Sequence, residues 1–246
     1  MLLTVLVDGE VPVTTQWYPG FLPSNAFAVN GAGLTWGINH LQVNDPVVGA
    51  GRHFVARGLQ HCTSLNEAIG YLAAHPSAGG FAYNIGEFGT GRVATVECAG
   101  GVIAVCEADP QDRPMVWHTN HTRYLASTES VERAAGSTAA GPDAGVRSLG
   151  LREESEGRGA LLDALAIPDG GPDEAWLLEV LAKQAAPCGV RRSAVGDDPL
   201  MTLCTAVVDL TGNTVTLQRR GGAPVTLQAA ELHEAPTVFG HVGQSE

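Results

Sequence analysis

The sequence predicts an α+β fold built on antiparallel sheets. Short strand-like runs joined by tight turns open the chain, helical patterns occupy about 51–72, and further strand-like runs follow. Strands, then helices, then strands again are typical of α+β proteins, whereas a parallel sheet requires strands and helices to alternate. The chain contains no internal repeat and no linker, so we expect a single domain over 1–246.

The composition of the chain argues against several classes of function. The 246 residues are 44% hydrophobic and 16% charged, which is the composition of a globular protein. A formal net charge of -12 argues against nucleic acid or an anionic membrane surface as a partner. The chain lacks the ~18 consecutive apolar residues of a membrane span, and 1–7 lack the charged region of a signal peptide.

The cysteine pattern indicates neither a metal site nor a disulfide framework. The number is odd and no pair has C-x-x-C spacing. We expect buried, reduced thiols in a cytoplasmic protein, with no cofactor and no metal. A nucleophilic role for the cysteine beside the helical region is disfavoured because no base is evident nearby. The five are Cys62, Cys98, Cys106, Cys188 and Cys204.

Two hairpins begin the chain. Residues 2–7 and 11–17 form strand-like runs around an Asp8-Gly9 turn. A second hairpin joins 26–29 to 34–38 through a glycine-bearing turn, and its second strand ends in Asn39. The glycines of that turn do not have the spacing of a phosphate-binding loop.

Helices follow the hairpins. Residues 51–62 have roughly helical apolar spacing. Ser64 and Glu67 have the spacing of a capping box that opens a second helix, whose buried stripe we expect to contain Leu65, Ile69 and Leu72.

In the second half of the chain, we predict four strands, then two helices, then two more strands. We predict strands over 81–85, 92–98, 102–106 and 115–118, and later over 201–210 and 214–218. We predict helices over 157–166 and 172–184, the latter with Pro172 in its first turn. The polar, glycine-rich region 122–154 reads as an excursion over a site or as a tolerated insertion, and 232–246 as a loose tail.

The stretch Trp117-His118-Thr119-Asn120-His121 concentrates polar side chains where a predicted core strand ends. Strand ends are where scaffolds present chemistry. The alternative interpretation is that the asparagine caps a turn and the histidines are polar surface.

These motifs, taken in order, resemble the C45 peptidase-type acyltransferases, a family that includes the enzyme that exchanges the acyl chain of penicillins. The resemblance covers most of the chain. It rests on Pro19-Gly20, residues 30–34, 37–41, 52–57, 64–68 and 78–84, His118-Thr119-Asn120-His121, Ser155-Glu156-Gly157-Arg158 and residues 202–210.

The resemblance implies an N-terminal-nucleophile fold, with two stacked antiparallel sheets between helix layers. It also implies a precursor that cleaves itself before a cysteine, which then attacks small amides or thioesters. By resemblance, Asn39 and Asn120 supply amide donors to the oxyanion and to the amino group of the nucleophile. Arg158 supplies a cation near the site. Self-association into a homo-oligomer stays open.

Two points follow from the resemblance. Ser130 and Arg133 form a competing S-x-x-R, and we prefer Ser155 and Arg158 because a helix follows them directly. The nucleophilic cysteine is expected upstream of this sequence. The alternative is a non-catalytic relative that binds an acylated small molecule or serves as an interaction domain.

Overall fold

A computed structural model describes residues 1–23, 26–43, 47–125, 142–183, 189–194 and 201–234, and of residues 142–151 the helical backbone alone. The strands are β1 (Leu2–Val5), β2 (Val13–Gln16), β3 (Phe27–Asn30), β4 (Leu34–Leu41), β5 (Gly80–Glu87), β6 (Val93–Ala99), β7 (Val102–Glu107), β8 (Cys204–Asp209), β9 (Thr214–Arg219) and β10 (Val225–Gln228). The helices are α1 (Arg52–Gly58), α2 (Leu65–Ala74), α3 (Pro142–Asp163) and α4 (Glu174–Ala182), with 3-10 turns at Leu59–His61 and Ala229–His233.

The strands form two antiparallel sheets. A large sheet contains seven strands in the order β1 to β7, and a small sheet contains three in the order β10-β9-β8. Every neighbouring pair is antiparallel. This confirms the predicted α+β class with antiparallel sheets.

The large sheet buries both faces. On β3, Ala28 packs in the cluster that contains the helix residues Val55 and Leu65. Its neighbours Phe27 and Val29 pack in a second cluster with residues of the small sheet. This division follows from the alternation of side chains along a strand. Helix α4 packs against β8, which makes the layers helix, sheet, sheet and helix.

Local capping chemistry agrees with the sequence, with small shifts. The Ser64 hydroxyl accepts the Glu67 N–H at 3.2 Å, as predicted, but the Glu67 carboxylate accepts the backbone N–H of Thr63 and not that of Ser64. At α4, Asp173 is the N-cap and accepts the N–H of Trp176 at 2.7 Å. Pro172 therefore lies just before the cap, not in the first turn as predicted.

One predicted strand is wrong, and one predicted helix begins earlier than expected. Residues 115–118 join neither sheet and have no regular secondary structure. The helix predicted over 157–166 spans Pro142–Asp163, so it begins inside the region 122–154 that was predicted as an excursion over a site or a tolerated insertion. Residues 142–154 contain few apolar side chains, so the helix has no apolar periodicity in its first half. Residues 126–141, including the competing Ser130 and Arg133, lie outside the described residues.

The C-terminal part is more ordered than predicted up to residue 234. The unpredicted strand β10 pairs with β9, and a 3-10 turn follows it. Leu232 is buried, and its carbonyl accepts the hydroxyls of Thr14 at 2.5 Å and Thr4 at 3.0 Å. The predicted loose tail is therefore wrong for 232–234, while 235–246 lie outside the described residues. Across the described ranges, none of the helices is long and apolar enough to cross a membrane.

Candidate active site

A single buried carboxylate fixes the segment that carries the predicted site. Glu97, on β6, accepts hydrogen bonds from His118 Nε2 at 2.8 Å and from the backbone N–H groups of Arg123, Tyr124 and Leu125 at 2.6, 3.0 and 2.7 Å. The side chains of Glu97 and His118 are 0% exposed. Burial alone raises the pKa of Glu97, but these four bonds outweigh it and hold the pKa below its ordinary value.

Ser155 connects this segment to helix α3. Its hydroxyl accepts the backbone N–H of Asn120 at 2.7 Å and donates to the Thr119 hydroxyl at 2.9 Å. The Thr119 hydroxyl in turn donates to the Ser155 carbonyl at 3.1 Å, and His121 Nδ1 lies 2.9 Å from Ser155 Oγ. Ser155 is fully buried. Its role is therefore to hold the backbone at Asn120, since a substrate cannot reach its hydroxyl.

The side chain of Asn120 lies between the large sheet and α3. Its Nδ2 donates to the carbonyl of His40 at 3.2 Å, and its Oδ1 accepts from Arg158 Nη2 at 2.9 Å. Arg158 Nε also lies 3.9 Å from Glu154, which pairs with Arg192 at 3.1 Å. The structure thus brings two of the three predicted site residues, Asn120 and Arg158, into direct contact.

The third predicted residue, Asn39, is held by a neighbour that we had not predicted as a site residue. Asn84 Nδ2 donates to Asn39 Oδ1 at 2.9 Å, and the Thr95 hydroxyl donates to Asn84 Oδ1 at 2.9 Å. This relay runs across adjacent strands β4, β5 and β6, and it leaves Nδ2 of Asn39 as the donor group. The sequence signal for Asn84 was a polar residue inside an apolar strand.

Two cavities meet at Asn39. The first, which we call the apolar cavity, has a volume of about 370 Å³ and has Asn39 and Arg158 among its lining residues. Its walls come mainly from α3, α4 and residues 115–119. The apolar side chains of Met115 and Val116 therefore line a cavity and do not belong to a sheet. Its apolar lining includes Met115, Val116, Trp117, Leu162, Leu165, Trp176, Leu177 and Val180.

The second cavity, the inter-sheet cavity, lies between β4 and β5 on one side and β8 on the other. It has a volume of about 520 Å³. Its lining is more polar and includes Gln16, Tyr18, Asn39, Asn84, Cys204 and Thr205. Asn39 thus lies where an apolar and a polar space adjoin.

Cys62, Cys98 and Cys204 do not have the environment of an activated nucleophile. Four are free thiols, of which Cys62, Cys98 and Cys106 are buried and Cys204 is half-buried. Burial, with a smaller contribution from Glu67, raises the pKa of Cys62 to about 11, and burial raises that of Cys98 to about 12. Cys188 lies outside the described residues. Within the described part of the chain, no group of three His, Cys, Asp or Glu side chains could hold a metal ion.

The sequence profile of the acyl-coenzyme A:6-aminopenicillanic acid acyl-transferases matches residues 4–222. The chain belongs to this acyl-transferase family. No curated protein matches it. Two variant crystal structures of the conjugated bile acid hydrolase from Clostridium perfringens are similar in fold to this acyl-transferase family member, each with a TM-score of 0.56.

The structural similarity extends over most of both proteins. It covers 92% of this chain and 80% of each hydrolase chain, at 13% and 14% sequence identity. At that identity the match shows the fold, which is that of the N-terminal-nucleophile hydrolases. The resemblance in sequence and the predicted sandwich are both confirmed. This acyl-transferase family member therefore has the scaffold of an N-terminal-nucleophile acyltransferase or amidohydrolase.

Proposed function

We propose that this protein transfers or hydrolyses the acyl group of small amides or thioesters, with Asn39, Asn120 and Arg158 at the reacting carbonyl. The observation that carries the proposal is the apolar cavity, because Asn39 and Arg158 are among the few polar residues of its lining. An acyl chain in this cavity could place its carbonyl at these polar groups. An apolar pocket with a few convergent polar groups is the usual form of a small-molecule site.

The polar groups suit the chemistry of acyl transfer. When a nucleophile attacks the carbonyl, negative charge develops on oxygen and must be met by fixed donors. Asn39 supplies an amide that Asn84 has already oriented. Asn120 is fixed at its backbone by Ser155 and at its side chain by Arg158. The Arg158 guanidinium also provides positive charge, which favours the thiolate form of a cysteine nucleophile.

The nucleophile is proposed from the family resemblance. It is a cysteine exposed by self-cleavage of a precursor, with its thiol as nucleophile and its α-amino group as base. We propose that this residue lies ahead of the present sequence, as the family resemblance implies. Burial raises the pKa of Cys62, Cys98 and Cys204, which makes these thiols poor candidates for the role.

The apolar cavity sets an expectation for chain length. Its volume of about 370 Å³ corresponds to roughly twelve water-sized volumes at about 30 Å³ each. Each buried methylene contributes about 0.8 kcal/mol, so affinity should rise about fourfold per methylene until the cavity is full. Trp117 and Trp176 line the cavity, so their fluorescence reports occupancy.

The test uses protein purified from its native source, so that any processing is preserved. We would determine its N-terminus and then measure turnover of straight-chain amides and thioesters of increasing length. The variant Leu162→Trp is designed to fill the apolar cavity, because Leu162 lines it. The matched control is Leu161→Trp, because Leu161 is exposed on the same helix. We expect Leu162→Trp alone to lose activity on the longer chains.

Two results would change the proposal. If both variants keep the wild-type dependence on chain length, the apolar cavity does not hold the acyl group. If the ligands bind but the native protein has no N-terminal cysteine and no turnover, the protein is the non-catalytic binding relative.

The remaining predictions stand on the sequence. We propose a single domain over 1–246 in the cytoplasm, acting on a small acylated substrate without a cofactor or metal. Its acidic net charge of -12 still argues against nucleic acid and anionic membranes as partners. Whether two copies associate is a prediction that sedimentation would check.

A further inference from the structure

The ring of Trp117 forms part of the wall of the apolar cavity, and neighbouring residues hold it in one orientation. Its indole Nε1 donates to Asp163 Oδ1 at 3.2 Å. The Arg123 guanidinium carbon lies 3.3 Å from the ring centroid, over the face of the ring. A Cβ at Gly159 would lie only 2.8 Å from Cη2 of the ring. The ring is therefore held at its N–H edge, at its opposite edge and on one face.

Helix α3 contributes two of these contacts because of its periodicity. Gly159 and Asp163 are one helical turn apart, so they lie on the same face of α3. Arg158 and Leu162 each come one position earlier, and they line the apolar cavity. The helix thus presents one stripe of residues to the cavity and the adjacent stripe to Trp117. Because a side chain at position 159 would collide with the ring, the glycine allows the ring to lie against the helix as part of the cavity wall.

The two polar partners of the ring also bond to each other. Arg123 Nη2 donates to Asp163 Oδ1 at 3.1 Å, so one carboxylate oxygen accepts from both the guanidinium and the indole. The backbone N–H of Arg123 donates to Glu97 Oε1 at 2.6 Å, which ties this pair to the buried carboxylate of β6. The side chains of Arg123 and Asp163 are 23% and 59% exposed. The Trp117 ring therefore separates the apolar cavity from a charged pair that faces solvent.

This position makes the ring a limit to the length of an acyl chain. If the ring rotated away, it would lose its hydrogen bond to Asp163 and its cation–π contact with Arg123. The backbone at Gly159 prevents the ring from moving toward α3. A methylene added beyond the ring would lie beside charged groups and water, where it gains little from burial.

We propose that Trp117 is the residue that determines acyl-chain length, and that the substrates carry straight acyl chains whose apolar tail ends at this ring. Arg123 and Asp163 are positioning residues, because they act on the acyl chain only through Trp117. The proposal rests on the proposed acyl-transfer function and identifies the part of the apolar cavity that limits the acyl group.

The test compares the chain-length limit of the wild type with that of Trp117→Ala. Straight-chain amides of increasing length are titrated into the full chain by calorimetry, and turnover of the same series is measured with protein from its native source. Wild-type affinity should rise about fourfold per methylene and then level off. In Trp117→Ala the rise should continue. A chain about two methylenes past the wild-type limit should therefore gain about sixteenfold in affinity relative to a chain at the limit.

Asp163 offers a matched pair of variants that tests positioning. Asp163→Ala removes the acceptor of the indole N–H, so we expect a severalfold gain in relative affinity for chains past the wild-type limit. Asp163→Asn keeps an oxygen that accepts from the indole and should retain the wild-type limit. The control is Glu153→Ala, because Glu153 is an exposed carboxylate of the same helix. Rescue by asparagine separates the position of the ring from a general loss of helix stability.

The outcomes separate this proposal from the proposed function. A wild type whose binding does not depend on chain length refutes the acyl site itself. A wild-type limit that stays unchanged in Trp117→Ala overturns the role of Trp117 and leaves the acyl-transfer proposal standing. A limit that moves in Trp117→Ala and stays fixed in Asp163→Ala overturns the positioning role of Asp163.

A second variant keeps the test decisive if Trp117→Ala does not fold by circular dichroism. Trp117→Phe then replaces it, because phenylalanine keeps an aromatic ring of smaller size and has no N–H group. We expect the limit to move by about one methylene, which is about a fourfold gain in relative affinity for the next longer chain. An unchanged limit in Trp117→Phe overturns the proposal in the same way.

Discussion

Glu97→Gln should strongly destabilise the protein, although glutamine and glutamate have nearly the same size. Each carboxylate oxygen accepts two hydrogen bonds: Oε1 from His118 and Arg123, and Oε2 from Tyr124 and Leu125. Glutamine replaces one oxygen with an NH2 group, so two of the four acceptor positions disappear inside a fully buried site. Each buried donor left unpaired costs about 1–3 kcal/mol. We therefore expect a loss of about 3 kcal/mol in the free energy of unfolding.

The assay is equilibrium unfolding in urea, with Glu107→Gln as the control. Glu107 lies on β7 beside Arg92, with a bond of 2.7 Å, but its side chain is 39% exposed. An exposed ion pair contributes about 0–1 kcal/mol, so the control should stay close to wild type. The reasoning fails if Glu97→Gln costs less than 1 kcal/mol, or if the two variants cost the same.

The same carboxylate makes stability depend on pH in the acid range. The pKa of Glu97 is held below its ordinary value, which is about 4.3 in an unfolded chain. Its contribution is therefore complete above pH ~4.3 and is lost as the pH falls through the lower pKa of the folded state. The difference in unfolding free energy between wild type and Glu97→Gln should shrink over this range, and a constant difference would contradict the assignment.

Three further predictions concern the segment that Glu97 holds. Asn120→Ala should lower turnover by on the order of a hundredfold, as for loss of one oxyanion donor, with little change in melting temperature; unchanged turnover would remove its assigned role. Ser155→Ala leaves the buried N–H of Asn120 unpaired and should cost about 1–3 kcal/mol in unfolding free energy, and a neutral result would mean that water replaces the hydroxyl. Gly159→Ala places a Cβ 2.8 Å from the Trp117 ring, so we expect about 1–3 kcal/mol of destabilisation and a shifted tryptophan emission, whereas unchanged emission would show that α3 moves instead.

Local patterns were enough to predict most of the fold. The hairpins, the helix cap at Ser64 and the strands that became β5, β6 and β7 all follow from side-chain periodicity and turn residues, which act over a few positions. The predictions failed where local signal is weak. Residues 115–118 have an apolar strand-like composition but line a cavity, and the first half of α3 has no apolar periodicity.

For the candidate site as well, the sequence supplied one part of the description and the tertiary structure the other. Sequence order and resemblance led us to predict Asn39, Asn120 and Arg158 as site residues, because their motifs are short and contiguous, and their roles stay predictions. Their contacts join residues far apart in the chain: Arg158 bonds Asn120, Asn120 bonds the carbonyl of His40, and Asn84 bonds Asn39. Only the pairing of strands and the packing of α3 could place these groups together.

What the sequence by itself determined is therefore the fold class and the family, since each depends on patterns of neighbouring positions. The tertiary structure decided which polar groups are buried and which cavities they face. Glu97 shows the physical reason. Within β6 it is one charged residue in an apolar strand, and its function depends on four donors that arrive from 21 to 28 positions later in the chain.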